Sequence, residues 1–258
     1  MTNFKIASWN VNSLKVRLPH VQDWLTEQKP DVLALQETKS TDENFPIEDI
    51  TSIGYQVYFI GQKTYNGVAV ICRDEAEVLA TEIPGFDDVQ RRVIAVKTQG
   101  VTVLNLYVPN GSEVDSEKYI YKLDWFSHLH PFIQELKSEN ENMIILGDFN
   151  IAPEDRDVHD PQEWVGKVHV SPKERAEFSN LLDGGFHDSF RLFEQEEKSF
   201  SWWDYRAAGF RRNRGLRIDH ILLSETLKDK CNKAWIDKSP RKLERPSDHT
   251  PVIAELTI

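Results

Sequence analysis

The chain has 258 residues, 40% of them hydrophobic and 28% charged, with a formal net charge of -11. Its length and apolar content suffice for a substantial core in one domain spanning residues 1–258, and its spread of Gly and Pro excludes a disordered or collagen-like chain. The acidic balance argues against a protein that coats nucleic acid through a broadly basic surface.

In chain order, Phe4-Lys5-Ile6-Ala7-Ser8-Trp9 predicts a first strand with Asn10 and Asn12 at its exit. From Val16 to Gln28, Leu18, Val21 and Leu25 recur at helical spacing, and Lys29-Pro30 ends the helix. Asp31 through Gln36 predicts a short buried strand that delivers Glu37. Further strands are predicted at Gln56-Ile60, Gly67-Cys72, Val93-Thr98 and Val101-Val108, and Pro109-Asn110-Gly111 stops the last of them as a turn.

A long helix is predicted next, from the stripe Ile120, Leu123, Phe126 (or Trp125), Leu129, Ile133 and Leu136. The apolar run Met143-Ile144-Ile145-Leu146 then brings Gly147-Asp148-Phe149-Asn150 to a strand end. Residues 151–173 lose periodicity and read as a surface loop of the length that often carries function. Ser171-Pro172-Lys173-Glu174 has a helix-start pattern, with Ser as N-cap, Pro at the first position and Glu at the third. That helix is predicted to run to Leu182 and to stop at Gly184-Gly185. The last predicted strands are Arg217-Leu223, Asn232-Ile236 and Pro251-Leu256. Strands outnumber helices, and Lys97 to Val101 is too short for anything but a hairpin. An α/β domain in which sheets pack together under covering helices follows, in preference to a purely parallel doubly wound fold.

The polar strand ends carry the chemistry. Side chains alternate along a strand, so Asn10 and Asn12 face one way, as do Asp148 and Asn150. Asp-x-Asn pairs a carboxylate that handles a nucleophile with an amide that holds substrate or water. A lone Glu37 at a strand end is ordinarily surface decoration. Among other polar strand ends it becomes a good Mg²⁺ ligand, because magnesium takes oxygen donors and few carboxylates. His249, in Ser247-Asp248-His249, is the one histidine singled out for function: judged alone it can be a satisfied structural residue, but Asp219 can orient its imidazole as a carboxylate does in hydrolytic triads. Asp219 enters an apolar strand and needs a partner there. Arg206, Arg211, Arg212, Arg214 and Arg217 form a run without an acid, followed by Arg241, Lys242 and Arg245. The run suits a polyanionic substrate, and it suits an ordinary solvated loop equally well. No Gly-x-Ser-x-Gly elbow or nucleotide-triphosphatase phosphate loop is present, so acyl transfer and ATP hydrolysis lack support.

Cys72 and Cys231 lie far apart without a CxxC partner, as expected of reduced thiols in a cytoplasmic protein and not of a zinc site. The first residues show no basic segment leading into an apolar run, so no signal peptide is expected. No apolar stretch reaches the roughly 18 residues that a bilayer span needs.

Taken together, several stretches resemble the exonuclease III family of DNA repair nucleases, within the superfamily that includes pancreatic DNase and inositol polyphosphate 5-phosphatases. They are Trp9-Asn10-Val11-Asn12, Leu35-Gln36-Glu37-Thr38-Lys39, Gly61-Gln62-Lys63, Gln90-Arg91-Arg92-Val93, Tyr107-Val108-Pro109-Asn110-Gly111, Gly147 to Pro153, Phe200 to Arg206, Gly215 to Asp219 and Pro246-Ser247-Asp248-His249. The resemblance covers essentially the whole chain in the family's order. It implies a four-layer α/β sandwich with two central mixed sheets flanked by helices. It further implies a Mg²⁺-dependent DNA phosphoesterase, with Mn²⁺ able to substitute. Glu37 would be the principal metal ligand, with Asn10 close by and Asp248 in the metal environment. Asp148 would position or deprotonate the attacking water, and Asn150 would bond phosphate or nucleophile. Tyr107 and Asn110 would contact phosphate or assist the leaving group. Asp219 and His249 would grip a nonbridging oxygen, with Asn12 a phosphate or structural contact. Water would attack phosphorus with departure of a 3′ oxygen.

The same resemblance implies a pocket for a deoxyribose without its base, lined by Trp202 and Leu216, although either Trp202 or Trp203 can be the ring that faces the core. An absent base lowers the cost of extrusion, which gives such a pocket a physical basis for selecting damage. Arg91, Arg206, Arg211 and Arg212 would hold backbone phosphates. His169 stands where many family members have a small residue, as in a bacterial subgroup that favours 3′-end processing over internal abasic-site incision. A side chain wedged there would oppose continuous duplex. Ser112-Glu113 lacks the arginine that some members push into the helix. The expected partner is double-stranded DNA with abasic sites or 3′ ends, bound by a monomer acting in a bacterial-type cytoplasm at the nucleoid. Two alternatives stand beside this reading: a phosphoesterase on a small polyanion or lipid headgroup, and a DNA-binding protein without catalysis.

Overall fold

The computed structural model describes residues 2–258. The first elements are β1 (Asn3–Asn10), α1 (Leu14–Gln28), β2 (Val32–Gln36), α2 (Ile47–Thr51), β3 (Gln56–Ile60) and β4 (Val68–Cys72). Next come β5 (Glu77–Ala80), β6 (Val93–Thr98), β7 (Val101–Tyr107), α3 (Glu117–Glu139), β8 (Met143–Asp148), α4 (Pro161–Trp164) and α5 (Pro172–Asp183). The chain continues through β9 (Phe186–Asp188), β10 (Trp202–Trp203), β11 (Gly215–Leu216), β12 (Asp219–Ser224), α6 (Glu225–Lys228), β13 (Cys231–Ile236) and β14 (Val252–Thr257).

Two six-stranded sheets form, in the orders β13-β14-β1-β2-β4-β3 and β5-β6-β7-β8-β12-β9, with β10 and β11 as a separate ribbon. Each large sheet is antiparallel except for one parallel pair, β1 with β2 and β7 with β8. Alternation along the strands builds the layers. Phe4, Ile6, Val32, Ala34, Ile144 and Leu146 meet between the sheets. Ala7, Trp9, Leu33 and Leu35 face the other way, onto Val21, Trp24 and Leu25 of α1. On the second sheet Leu104, Leu106 and Ile145 pack on Trp125, Leu129 and Ile133 of α3 and on Phe178 and Leu181 of α5. The result is the four-layer α/β sandwich with two mixed sheets. Each large apolar side chain so buried contributes about 1.5–3 kcal/mol. The predicted hairpin is present: Thr98 pairs with Val101 across Gln99-Gly100, both at positive φ (50° and 76°), as a two-residue turn of the primed type requires.

Three expectations are corrected. The predicted stripe of α3 holds from Trp125 and Phe126 through Leu129, Ile133 and Leu136 but differs at its start. Ile120 is 61% exposed, whereas Tyr119 and Lys122 are buried. Arg217 does not open a strand on a basic surface: it is 1% exposed and turns inward to Asp157 and Asp188, so that β12 begins only at Asp219. The segment 151–173 is less irregular than predicted. It contains a single helical turn at Asp155–Asp157 and the short α4, tied down by Arg217 to Asp157 and Arg175 to Asp155. The capped start of α5 matches prediction, with Ser171 Oγ accepting from Glu174 N and the Glu174 carboxylate accepting from Ser171 N. Both cysteines are free, Cys72 buried and Cys231 half-buried. Among the described residues no helix is long and apolar enough to cross a membrane.

Gly147 lets the β7–β8 pair close immediately before Asp148. Its φ is 142°, and a Cβ there would lie 1.9 Å from the Leu106 carbonyl oxygen. Gly147→Ala should therefore cost about 3 kcal/mol or more through strain and overpacking. For a chain of this size that lowers the melting temperature by roughly 10 °C. An unchanged thermal melt would show that the two strands can separate without penalty.

Candidate active site

The polar strand ends converge on one rim of the sandwich. Asn10, fully buried at the end of β1, donates from Nδ2 to Glu37 Oε1 at 3.0 Å and to Asp148 Oδ2 at 2.9 Å. One amide thus joins a carboxylate of the first sheet to a carboxylate of the second. Its Oδ1 accepts from Asn12 N at 2.9 Å. Glu37 follows β2 in a left-handed conformation (φ 51°) and pairs through Oε2 with Lys39 Nζ at 2.9 Å. Lys39 also donates to Asn12 Oδ1 at 2.6 Å. The Nδ2 of Asn12 donates to Asp248 Oδ1, and Trp202 Nε1 donates to the other oxygen of Asp248, both at 3.0 Å. Asp248 is therefore linked to Trp202 on one side and, through Asn12 and Lys39, to Glu37 on the other.

Asp148 and Asp219 are directly opposed in the register of β8 and β12, and each is 1% exposed. His249 lies with them. Its Nδ1 is 2.9 Å from Asp219 Oδ2 and 3.1 Å from Oδ1, so Nδ1 carries a proton, and its Nε2 is 3.6 Å from Asp148 Oδ2. Burial alone would depress the imidazole, but the Asp219 and Asp148 carboxylates outweigh it and push the pKa up to about 10. Burial raises the Asp148 carboxyl to about 7, against the opposing pull of the His249 cation and with the repulsion of Asp219 added. Ser201, which sequence reasoning missed, donates from Oγ to Asp219 Oδ2 at 2.6 Å and accepts the backbone N–H groups of Ile218 and Asp219. Among the described residues, Asp148, Asp219 and His249 also form a group with ligand atoms within 4.8 Å of one another, close enough to hold a divalent cation. Glu37, which Lys39 pairs in the same way, also offers hard carboxylate oxygens of the kind magnesium takes.

Tyr107 ends β7 as the parallel partner of Asp148, and burial together with the Glu37 carboxylate raises its phenol well above the usual range. The guanidinium over its ring, 4.7 Å from the centroid, belongs to Arg92, which also donates to the Tyr107 carbonyl at 3.2 Å and is held by Gln90. Sequence reasoning chose Arg91, its half-buried neighbour, whose backbone N–H is tied to Gln62. Asn150, at φ 50°, donates from its side chain to the Val108 carbonyl at 2.9 Å, and its Oδ1 accepts from Asn110 Nδ2 at 3.2 Å.

Trp203 is the ring in the core, at 0% exposure, and Trp202 is the half-buried one. Trp202 pairs with Leu216 across the β10–β11 ribbon and bridges to His249. Trp164, absent from the predicted site, stands edge-on to Trp202 with ring centroids 6.5 Å apart. His169 belongs to the same wall, 5.9 Å from Trp164, and its Nδ1 donates to the Asn150 carbonyl at 2.6 Å. At 6% exposure its ring does not protrude as a wedge, which corrects that picture. Burial first, and then the Lys122 charge, lower its pKa to about 4.

The basic run is divided by pairing. Arg206 is exposed but engaged by Asp204 at 2.6 Å, Arg214 pairs with Glu163, and Arg211 and Arg212 face solvent. Arg241 is buried against Trp203, Tyr205 and Phe210.

Carboxylates set apart by an imidazolium, beside the amides of Asn10 and Asn150, can activate water and grip an anionic oxygen, and on a two-sheet sandwich this defines a phosphoester hydrolase. The chain belongs to the endonuclease/exonuclease/phosphatase family, whose model matches residues 7–249. It is 37% identical to an exodeoxyribonuclease III of Haemophilus influenzae, over 97% of this chain and 99% of that protein. Among solved structures it resembles a 3′ phosphatase from Neisseria bound to a product DNA hairpin, at 45% identity and a TM-score of 0.97, covering 99% of this chain and 100% of that one. An AP endonuclease from Archaeoglobus fulgidus superposes with a TM-score of 0.95 at 38% identity, with the same coverage of 99% and 100%.

The three deeply placed histidines should separate in a side-chain NMR titration. His249 stays protonated until about pH 10, whereas His169 and His220 are neutral above about pH 4. Asp219→Asn removes the carboxylate on Nδ1, so the His249 titration should move to lower pH. A His249 that titrates in the normal range near 6.5 in the unaltered protein would refute the imidazolium assignment.

Proposed function

We propose that this protein is a Mg²⁺-dependent DNA phosphoesterase that processes 3′ ends of duplex DNA. The observation that carries the reading is the Asp148–His249–Asp219 arrangement, with Asn150 bonded to Asp148 through its backbone N–H at 2.9 Å. The names of the similar proteins support DNA as substrate, as an exodeoxyribonuclease, a 3′ phosphatase and an AP endonuclease.

In this reading ionised Asp148 takes a proton from water as its oxygen forms a bond to phosphorus and the 3′ oxygen departs. A base with a pKa near the working pH is suited to that transfer. His249, held protonated by Asp219, donates to a nonbridging oxygen on which charge accumulates. The amides of Asn150 and Asn110 orient the phosphate, with Asn12 at its margin and the Tyr107 hydroxyl near the leaving oxygen. The hard carboxylate oxygens of Glu37 would hold Mg²⁺, or Mn²⁺ in its place, with Asn10 close by through its hydrogen bond to Glu37 and Asp248 in the surrounding field. When bound, the metal supplies charge neutralisation at the phosphate and leaving group. Trp202 flanks the sugar, while Leu216, expected to line the same pocket, is fully buried and backs Trp202 from the core; Arg91, Arg206, Arg211 and Arg212 would contact flanking phosphates. His169 acts on selectivity as part of the pocket wall. A cytoplasmic monomer completes the proposal.

The test is product formation in Mg²⁺ from two labelled duplexes, one with an internal abasic site and one with a recessed or 3′-phosphorylated end. Processing of the ends without internal incision is expected. Efficient incision at the internal site would instead make this a general abasic endonuclease. Glu37→Ala should lower kcat by about 10² or more while DNA binding persists, and undiminished cleavage would undo the metal assignment. His169→Gly, by opening the wall beside Trp164, should gain internal incision; no gain would remove His169 as a selectivity residue.

A further inference from the structure

Beneath the rim lies a pair of charges that none of the steps above uses. Lys122 of α3 and Glu174 of α5 are both at 0% exposure, with Nζ 2.6 Å from Oε1. A buried pair is weak evidence for stability, because desolvation offsets its attraction. Its remaining hydrogen bonds say more. The same Nζ donates to the Asn150 carbonyl at 2.8 Å and reaches the Asn110 carbonyl at 3.4 Å. Glu174 accepts from His169 N at 2.9 Å, and His169 in turn donates from Nδ1 to the Asn150 carbonyl.

All three protons of the ammonium are thus directed: one to the countercharge, two to the backbone of the turns that present Asn110 and Asn150. Those turns need support. Asn150 holds φ 50°, and Gly111 holds φ 90° with Lys122 Cδ only 3.3 Å from where a Cβ would stand. A left-handed non-glycine residue persists only where its surroundings over-determine it. Every polar group of Asn150 is engaged: its N–H by Asp148, its carbonyl by Lys122 and His169, and its side chain by Val108 and Asn110.

We propose that Lys122 is a positioning residue for phosphate recognition, pinning the carbonyls of Asn110 and Asn150 so that their side-chain amides stay in register. Glu174 keeps the ammonium in place and links it to His169. The inference rests on the reading of this site as a DNA phosphoesterase. A neutral side chain cannot replace the ammonium, because no uncharged residue offers three diverging donors from one atom.

The experiment compares Lys122→Met/Glu174→Gln, which removes both charges together, with the unaltered protein on a duplex with a recessed 3′ end. The double variant should fall about tenfold or more in kcat with KM within about threefold, since its effect is on oriented groups and not on uniform binding. Placed in an Asn150→Ala background, the same changes should lower kcat by no more than about threefold, because one of the two amides they orient is gone and only Asn110 is left to misplace. A loss repeated in full in that background, or a folded double variant with normal kcat, would overturn the proposal. Should the double variant not fold, Glu174→Asp keeps both charges and withdraws the carboxylate by one methylene. It should show the same kcat loss and the same non-additivity, and normal turnover by it would be equally fatal. An unaltered protein inactive on every labelled duplex would instead bring down the phosphoesterase reading, and this inference with it.

Discussion

Two carboxylates facing each other across β8 and β12 set the terms for the rest of the rim. Like charges on directly opposed positions of a sheet repel. With ligand atoms within 4.8 Å, two full charges would repel by roughly 3 kcal/mol at an effective dielectric of about 20. Asp148 and Asp219 are tolerated because a cation from the other sheet stands beside both. His249 precedes β14, and its turn is anchored when Ser247 Oγ donates to the Asn10 carbonyl at 2.7 Å. The imidazolium is therefore also a bond between the two sheets at their functional edge. Ser201 adds a hydrogen bond to Asp219, and burial raises the Asp148 carboxyl to about 7.

Why the groups share one edge follows from topology. Each sheet contains one parallel pair, and parallel neighbours release their carboxyl ends on the same side. In the first sheet β1 and β2 release Asn10 and Glu37. In the second, β7 and β8 release Tyr107 and Asp148. Packing the sheets face to face brings the two exits within reach of one amide, and Asn10 closes the gap by donating to both carboxylates. The antiparallel strands β12 and β14 return to this edge, so that Asp219 begins β12 and His249 lies just before β14.

Much of this was legible in the amino-acid order because a strand end is a local event. An apolar run that breaks into Asn, Glu or Asp announces itself at Trp9-Asn10, Gln36-Glu37 and Gly147-Asp148, and the Ser171 cap of α5 is equally local. What stayed hidden joins residues remote in sequence. Lys122 and Glu174 are 52 positions apart, and Arg217 and Asp157 are 60 apart. A signal for the first existed, since Lys122 falls on the face of α3 shared by Tyr119, Phe126, Leu129 and Ile133, where a charge is out of place. It was obscured by starting the stripe at Ile120, one residue out of phase. The arginine run misled for a related reason, because composition cannot tell an arginine in solvent from one that turns inward as Arg217 does.

That inward turn bears on how an acidic chain handles a polyanion. Several cations are occupied within the protein: Lys122 on Glu174, Arg191 and Arg217 on Asp157, Arg214 on Glu163, and Arg241 on aromatic rings. Even Lys39, at the rim, is paired with Glu37. The rim itself is instead weighted toward neutral amides, Asn10, Asn12, Asn110 and Asn150. Amides supply directed hydrogen bonds without the counterion-release gain that drives binding along a phosphate backbone. On the proposed reading, recognition is therefore concentrated at one phosphate and depends on how rigidly those amides are held. A surface that tracks duplex needs many free cations, whereas a site that grips one terminal phosphoester needs a few donors fixed in direction, and Lys122, buried beneath this rim, bonds the turns that carry two of them.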